Sequence, residues 1–166
     1  MTKQEIRALL STVLSTECDP VVPPTAAEWQ AIEKRFGTRF PKEFVYFIEL
    51  MSEFSFPGDI YNVSQADRTN GNDTIELVYE NERLNSAWPE ELIPFYGIGN
   101  GDYFALNRNE GSTSAVYYRY HENGRIEKYS DSFNSWLVQL LVARAAACFS
   151  TLRGKYWVGK VAGGAD

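Results

Sequence analysis

Apolar residues recur at helical spacing in three successive stretches at the start of the chain. Within each stretch they lie three and four positions apart, which places them on one side of a helix. Thr2 and Thr25 each precede a glutamate by three residues, the spacing of a capping box that satisfies free amides at a helix start. Pro41 suits the first turn of the third helix. We predict an N-terminal helix over residues 2–16 and two further helices that begin near Thr25 and Pro41.

The middle of the chain alternates polar and apolar residues, a pattern that is typical of strands. We predict strands in residues 59–64, both halves of 92–106, 114–122 and 125–129. Asn100-Gly101 and Asn123-Gly124 predict two-residue hairpin turns, so neighbouring strands should run antiparallel. Residues 73–84 fit both a strand and a helix, and we favour a helix there.

A last amphipathic stretch begins at Phe133, and its broad apolar surface should lie on the sheet. A chain of 166 residues with 44% hydrophobic residues can build one domain with a substantial core. We therefore predict an α+β fold, a single domain over residues 1–166 with N-terminal helices and a C-terminal helix packed on a predominantly antiparallel sheet. Its core should span about residues 25–150. The basic and aromatic tail over residues 151–166 should form an edge strand or a packed terminus.

The charge of the chain limits the kind of partner it can bind. A formal net charge of −6 and a pI near 4.9 argue against nucleic acid, because a phosphate-binding surface needs an excess of Lys and Arg. A basic protein is a better match. We expect no membrane span, since none of the apolar runs reaches the ~20 residues that a spanning helix needs. Cys18 and Cys148 show no pairing pattern, and the N-terminus does not resemble a signal peptide, so we predict a cytoplasmic protein.

Residues that could carry chemistry are few. His121 is the single histidine, so a His-rich metal site lacks its ligands and we expect no metal. Gly97, Gly99 and Gly101 do not have the spacing of a phosphate-binding loop, and a strand follows them where such a loop would open a helix. We therefore expect a structural turn at these glycines and no cofactor.

His121 and Asp102 leave two kinds of function open. A hydrolase could use His121 as a general base oriented by Asp102 or Glu122, but it would also need a nucleophile in reach. Alternatively, Asp102 caps a turn by accepting backbone amides, or makes a charged contact beside the exposed aromatic side chains of Tyr96 and Tyr103. Tyrosines on an acidic surface are good contact residues in protein interfaces.

Four motifs follow one another between Ala27 and Leu140. They are Trp29, Ile32, Phe36 and Gly37 followed by Phe40, Pro41, Phe44 and Phe47; Ile93-Pro94-Phe95 leading to residues 101–106; residues 116–122, which end in His121-Glu122; and Ser132-Phe133 followed by Trp136-Leu137. In their order and spacing, these motifs resemble the SUKH superfamily of small α+β proteins. That superfamily includes Smi/Knr-type cell-wall regulators of yeast and many bacterial immunity proteins.

The resemblance implies a protein-binding module without enzymatic activity. In bacteria it implies an immunity protein that neutralises a basic toxin domain, often a nuclease, by stoichiometric binding; a regulator or scaffold of the same family is the alternative. We expect a monomer or a weak homodimer. We also expect one sheet edge and its loops to carry the interface. The predicted contact residues are Asp59, Tyr61, Tyr96, Asn100, Asp102, Tyr118, Tyr120 and Glu122.

Overall fold

The structure is a computed structural model that describes residues 1–16, 21–55, 58–66 and 73–143. The described residues form five principal helices and a five-stranded sheet in one domain. The helices are α1 (Lys3–Ser11), α2 (Ala26–Phe36), α3 (Lys42–Leu50), α4 (Ile75–Asn85) and α5 (residues 133–143). The strands are β1 (Asp59–Ile60), β2 (Leu92–Gly97), β3 (Tyr103–Asn107), β4 (Val116–Arg119) and β5 (Ile126–Ser130). The predicted tail over residues 151–166 and both cysteines lie outside the described residues.

The α+β prediction is confirmed, and so are the signals at the helix starts. The Thr2 and Thr25 hydroxyls each accept a hydrogen bond from the backbone amide of the glutamate three residues later. The carboxylate of that glutamate accepts a hydrogen bond from the backbone amide of the threonine. Helix α1 ends at Ser11, so the predicted extent to residue 16 was wrong. Ser11 and Thr12 donate their hydroxyls back to carbonyls one turn earlier, and Thr16 instead forms an isolated bridge with Phe54.

Residues 75–85 form helix α4, as favoured from the sequence. The Thr74 hydroxyl accepts the amide of Leu77 and so begins the helix. Ile75, Val78 and Tyr79 are buried at helical spacing. This stretch is therefore a helix whose buried residues lie three and four positions apart, although its apolar residues also alternate as they would in a strand.

The sheet is antiparallel throughout, in the order β1-β2-β3-β4-β5. Strand β1 has only two residues, so the predicted strand over residues 59–64 was too long. The Asn62 side-chain oxygen accepts the amides of Val63 and Ser64, and its carbonyl accepts the amide of Ile75. These bonds occupy the backbone groups that a longer strand would have used for pairing. The predicted strand over residues 114–122 is likewise confined to β4.

Both hairpins have longer connections than the predicted two-residue turns. The β2–β3 loop comprises residues 98–102 and is closed by a hydrogen bond from the Ile98 amide to the Asp102 carbonyl. Gly99 and Gly101 have positive φ angles of 84° and 90°, whereas Asn100 does not have the positive φ angle that a two-residue Asn100-Gly101 turn would require. The β4–β5 loop comprises residues 120–125 and is closed by a hydrogen bond from the Tyr120 amide to the Arg125 carbonyl.

Aromatic side chains join α3 and α5 to one face of the sheet. The Phe95 ring centroid lies 5.5 Å from that of Phe44 and 4.9 Å from that of Trp136, both in edge-to-face contact. Phe47 meets Trp136 in the same way at 5.8 Å. Full burial of each such side chain stabilises the fold by about 1.5–3 kcal/mol. This packing fixes the strands that the β2–β3 and β4–β5 loops connect.

Candidate functional site

Asp102 joins the two loops at one end of the sheet. Its Oδ1 accepts hydrogen bonds from the backbone amide of His121 at 2.8 Å and contacts the ring Nδ1 of His121 at 2.9 Å. Its Oδ2 accepts the hydroxyl of Tyr118 at 2.6 Å and the side-chain amide of Asn100 at 3.0 Å. We call Asn100, Asp102, Tyr118 and His121 the Asp102 cluster. It holds the β2–β3 and β4–β5 loops in one relative position.

Strand register explains why these residues meet. Phe104 pairs with Tyr118 and Tyr103 pairs with Arg119, so the residues just before β3 lie opposite those just after β4. Gly101 also approaches His121 closely, because a Cβ on Gly101 would lie 3.1 Å from the His121 ring carbon Cγ. The cluster is therefore set by backbone pairing and tight loop contact.

The electrostatics of the cluster favour an ionised carboxylate. Burial alone would raise the pKa of Asp102, whose side chain is only 9% exposed. The hydrogen bonds from Tyr118, His121 and Asn100 outweigh that effect, so the pKa of Asp102 lies well below its usual range. Burial and the hydrogen bond to Asp102 raise the pKa of Tyr118, which keeps its hydroxyl a donor. The cluster thus holds a desolvated negative charge with several donors around it.

The contact between Asp102 and His121 is also the pairing that the hydrolase alternative requires. Asp102 touches the His121 ring, whereas Glu122 is exposed and, within the described part of the chain, forms no hydrogen bond or ion pair with that ring. No serine, threonine or cysteine among residues 1–16, 21–55, 58–66 and 73–143 hydrogen-bonds the His121 ring. An oriented base without a neighbouring nucleophile can brace a loop or polarise a bound group, but does not complete a nucleophilic dyad.

Three tyrosines form a partly exposed patch beside the Asp102 cluster. Tyr118 packs edge-to-face on Tyr120 with ring centroids 4.7 Å apart, and Tyr129 lies 6.4 Å from Tyr118. Tyr129 also rests on Phe104 at 4.9 Å and is 46% exposed. We call Tyr118, Tyr120 and Tyr129 the tyrosine patch. Its rings are anchored from below by the core and open to solvent above, which suits a contact surface.

The other predicted contact residues are placed differently. Tyr61 and Tyr96 are buried, with 6% and 5% of their surface exposed, so the expectation that Tyr96 is exposed was wrong. The Tyr96 ring stacks on Phe104 with ring centroids 5.9 Å apart, and it also contacts Trp136 of α5, which covers this part of β2. Asp59 is exposed and pairs with Gly97, which places it at the same end of the sheet as the β2–β3 loop.

Several residues of this region were not foreseen. Glu127 and Tyr129 lie two residues apart on β5 and so share one face of the strand, beside Tyr118 and Tyr120. This two-residue spacing is visible in the sequence. Arg119, on the opposite face, is 5% exposed and lies over Trp88, with its guanidinium carbon 4.9 Å from the ring centroid. Nothing in the sequence indicated that this arginine is buried.

The described residues contain no group of three or more His, Cys, Asp or Glu side chains that could hold a metal ion. They also contain no helix long and apolar enough to cross a membrane. An apolar pocket of about 130 Å³ lies between α3 and β1. Its lining residues are Val21, Ile48, Met51, Phe54, Gly58, Ile60 and Asn62. None of these described lining residues is titratable, so they supply no acid or base to the pocket.

Comparison with known proteins gives one family match. The family model for SUKH_5, described as SMI1-KNR4 cell-wall, matches residues 4–142, which is most of the chain. Curated proteins gave no match. Among solved structures, the chain is similar to a crystal structure of a protein from Pseudomonas syringae pv. tomato. The identity is 17%, the match covers 68% of this chain and 81% of that chain, and the TM-score is 0.49.

Proposed function

The chain belongs to the SUKH family, and we propose that it is a protein-binding module whose partner docks on the loop end of the sheet, without catalysis. One observation carries this proposal. Asp102 ties the β2–β3 and β4–β5 loops together directly beside the partly exposed tyrosine patch. A surface whose loops are already ordered loses less conformational entropy on binding, so more of its contact energy appears as affinity.

We further propose that the partner is a basic toxin domain, with a nuclease the favoured class, and that the protein acts as an immunity protein in the cytoplasm. The net charge of −6 supports this choice, because an acidic inhibitor is steered towards a basic surface. Glu122 and Asp59 are exposed at the loop end, where they can add to that field. Affinity would then depend on a few anchors and not on net charge.

The predicted contact residues divide into two roles in this proposal. Asn100, Tyr118, Tyr120 and Glu122 are exposed or partly exposed and touch the partner directly, with Asp59 at the far edge. The three buried residues, Tyr61, Tyr96 and Asp102, act by holding the strands and loops in place.

The test is isothermal titration of the protein against the toxin domain encoded by the neighbouring gene, inactivated by mutation, at low and high salt. We expect one-to-one binding that weakens as salt rises. Tyr120→Ala should weaken it at least tenfold, whereas Leu84→Ala should not change it. Leu84 is a matched control because it is 83% exposed on α4, away from the tyrosine patch. Equal effects of the two substitutions would reject the proposed surface.

A hydrolase is the second candidate, favoured by the 2.9 Å contact between Asp102 Oδ1 and His121 Nδ1. The His121→Gln variant separates the two functions. A binding module should keep partner affinity within about tenfold, since the glutamine retains the backbone amide that Asp102 accepts. An enzyme that relies on His121 as a general base should lose turnover by about 10²–10⁴-fold.

A further inference from the structure

Arg125, in the β4–β5 hairpin, packs its guanidinium against the tyrosine patch. The Arg125 guanidinium carbon lies 4.8 Å from the centroid of the Tyr120 ring. Arg125 also forms a close ion pair with Glu127, and Glu127 Oε2 accepts the Tyr120 hydroxyl at 2.8 Å. Tyr120 and Glu127 thus present an aromatic face and a carboxylate to one guanidinium.

This internal contact is held weakly. The Arg125 side chain is 59% exposed and the Glu127 side chain is 45% exposed, so water and salt screen their attraction. Arg125 lies in the loop just before β5 and carries a long, flexible side chain. A competing cation that arrives on a docked protein could therefore replace it without disturbing the core.

We propose that Tyr120 and Glu127 form a binding site for an arginine side chain of the partner, and that Arg125 occupies this site until the partner displaces it. Arginine fits because its planar guanidinium stacks on an aromatic ring and pairs with a carboxylate through parallel N–H donors. The proposal rests on the proposed function, in which a basic protein docks at this end of an acidic chain. Arg125 then acts as an internal competitor that partner arginines must outbind.

Competition between Arg125 and the partner predicts the direction in which Arg125→Ala changes ligand affinity. If Arg125 occupies the site, its removal should strengthen binding of an arginine-bearing ligand. Lys128→Ala is the matched control, because it removes the same charge from the same hairpin. Lys128 pairs with Asp131 at 2.5 Å and lies opposite Tyr117 in the sheet, on the other face from Tyr120 and Glu127.

The experiment is fluorescence anisotropy of a labelled hexa-arginine peptide titrated with the full chain and its variants at physiological salt. We expect Arg125→Ala to bind the peptide at least threefold tighter than Lys128→Ala. We also expect Glu127→Gln to bind at least threefold more weakly than Asp131→Asn, its charge-matched control. Circular dichroism checks that each variant is folded.

Equal or weaker binding by Arg125→Ala relative to Lys128→Ala would overturn the proposal, and so would equal binding by Glu127→Gln and Asp131→Asn. The peptide replaces the natural partner in this assay. A negative result therefore removes the arginine site alone, whereas failure of the toxin titration removes the proposed function and leaves the peptide result standing.

Discussion

Replacing Asp102 with asparagine tests whether this residue braces the two loops. The substitution keeps the shape of the side chain and exchanges one carboxylate oxygen for an amide NH2 group. Asn Oδ1 can still accept the His121 amide in place of Asp Oδ1. The new NH2 group faces the Tyr118 hydroxyl and the Asn100 side-chain amide, which donated to Asp Oδ2 at 2.6 Å and 3.0 Å.

The structure sets the size of the effect. The Tyr118 hydrogen bond loses its charged acceptor, and the Asn100 bond becomes a contact between two donors. A hydrogen bond to a charged group contributes about 1.5–3 kcal/mol, and losses within one network are not additive. We therefore expect Asp102→Asn to lower the free energy of unfolding by about 2–3 kcal/mol at pH 7. For a chain of this length, this corresponds to a melting temperature about 4–12 °C lower.

The pH dependence of the free energy of unfolding provides a second, independent test of this prediction. Because the pKa of Asp102 is lowered in the folded protein, its contribution is fully present above the unfolded carboxyl pKa of about 3.9. That contribution is lost as pH falls through the lower folded pKa. The stability difference between the natural protein and Asp102→Asn should therefore be constant around neutral pH and shrink in acid.

Urea unfolding followed by circular dichroism measures both quantities. Glu122→Gln is the control, since it removes one negative charge from the same end of the molecule at an exposed position. It should change the free energy of unfolding by less than about 0.5 kcal/mol. If Asp102→Asn is as stable as this control at pH 7, the hydrogen bonds to Asp102 do not brace the loops and the reasoning fails.

Three further substitutions test other parts of the fold. Arg119→Met should raise the free energy of unfolding by about 1 kcal/mol, because among the described residues the buried guanidinium has no acceptor for Nε and a single 3.4 Å hydrogen bond to a serine. Gly97→Ala should lower it by about 1–3 kcal/mol, since its Cβ would lie 2.3 Å from the Tyr61 hydroxyl oxygen. The Glu110 hydrogen bond, together with burial, raises the pKa of Tyr117 to about 12, so Glu110→Gln should lower that pKa towards 10, measured by NMR of the ring.

Each of these outcomes has a matched check. A less stable Arg119→Met variant would mean that the contact with Trp88 outweighs the desolvation of the charge. A Cβ at Gly124 would meet none of the described residues within 4 Å, so Gly124→Ala isolates the cost of a positive φ angle from the steric cost at Gly97. An unchanged Tyr117 pKa in Glu110→Gln would show that burial, and not the hydrogen bond, sets it.

Helix starts could be predicted from the sequence because their signals are local, whereas the end of α1 was predicted too late. Thr2, Thr25 and Thr74 each accept a hydrogen bond from an amide three residues away, and Gly37 ends α2 with a φ angle of 64°. These interactions depend on one turn of chain and not on the rest of the fold. The antiparallel sheet could be predicted for the same reason, since short glycine-containing connections leave adjacent strands few alternatives.

The candidate site could be predicted only in part because its contacts depend on register. Asp102 meets Tyr118 and His121 across 16 and 19 residues of chain, and a shift of one residue between β3 and β4 would separate them. Alternation along β2 gave no sign that both of its faces are covered, so Tyr96 was expected on the surface. Burial of that residue follows from where α5 packs, which is a tertiary fact.

The division between buried and exposed residues changes how a loss of binding must be interpreted. A substitution at Asp102 that weakens partner binding should also weaken the fold, because the residue works through the loops that it joins. A substitution at Tyr120 should weaken binding while leaving the free energy of unfolding nearly unchanged, because its ring lies partly exposed above the sheet. Measuring stability beside affinity for each variant therefore separates the residues that touch the partner from those that hold the surface in shape.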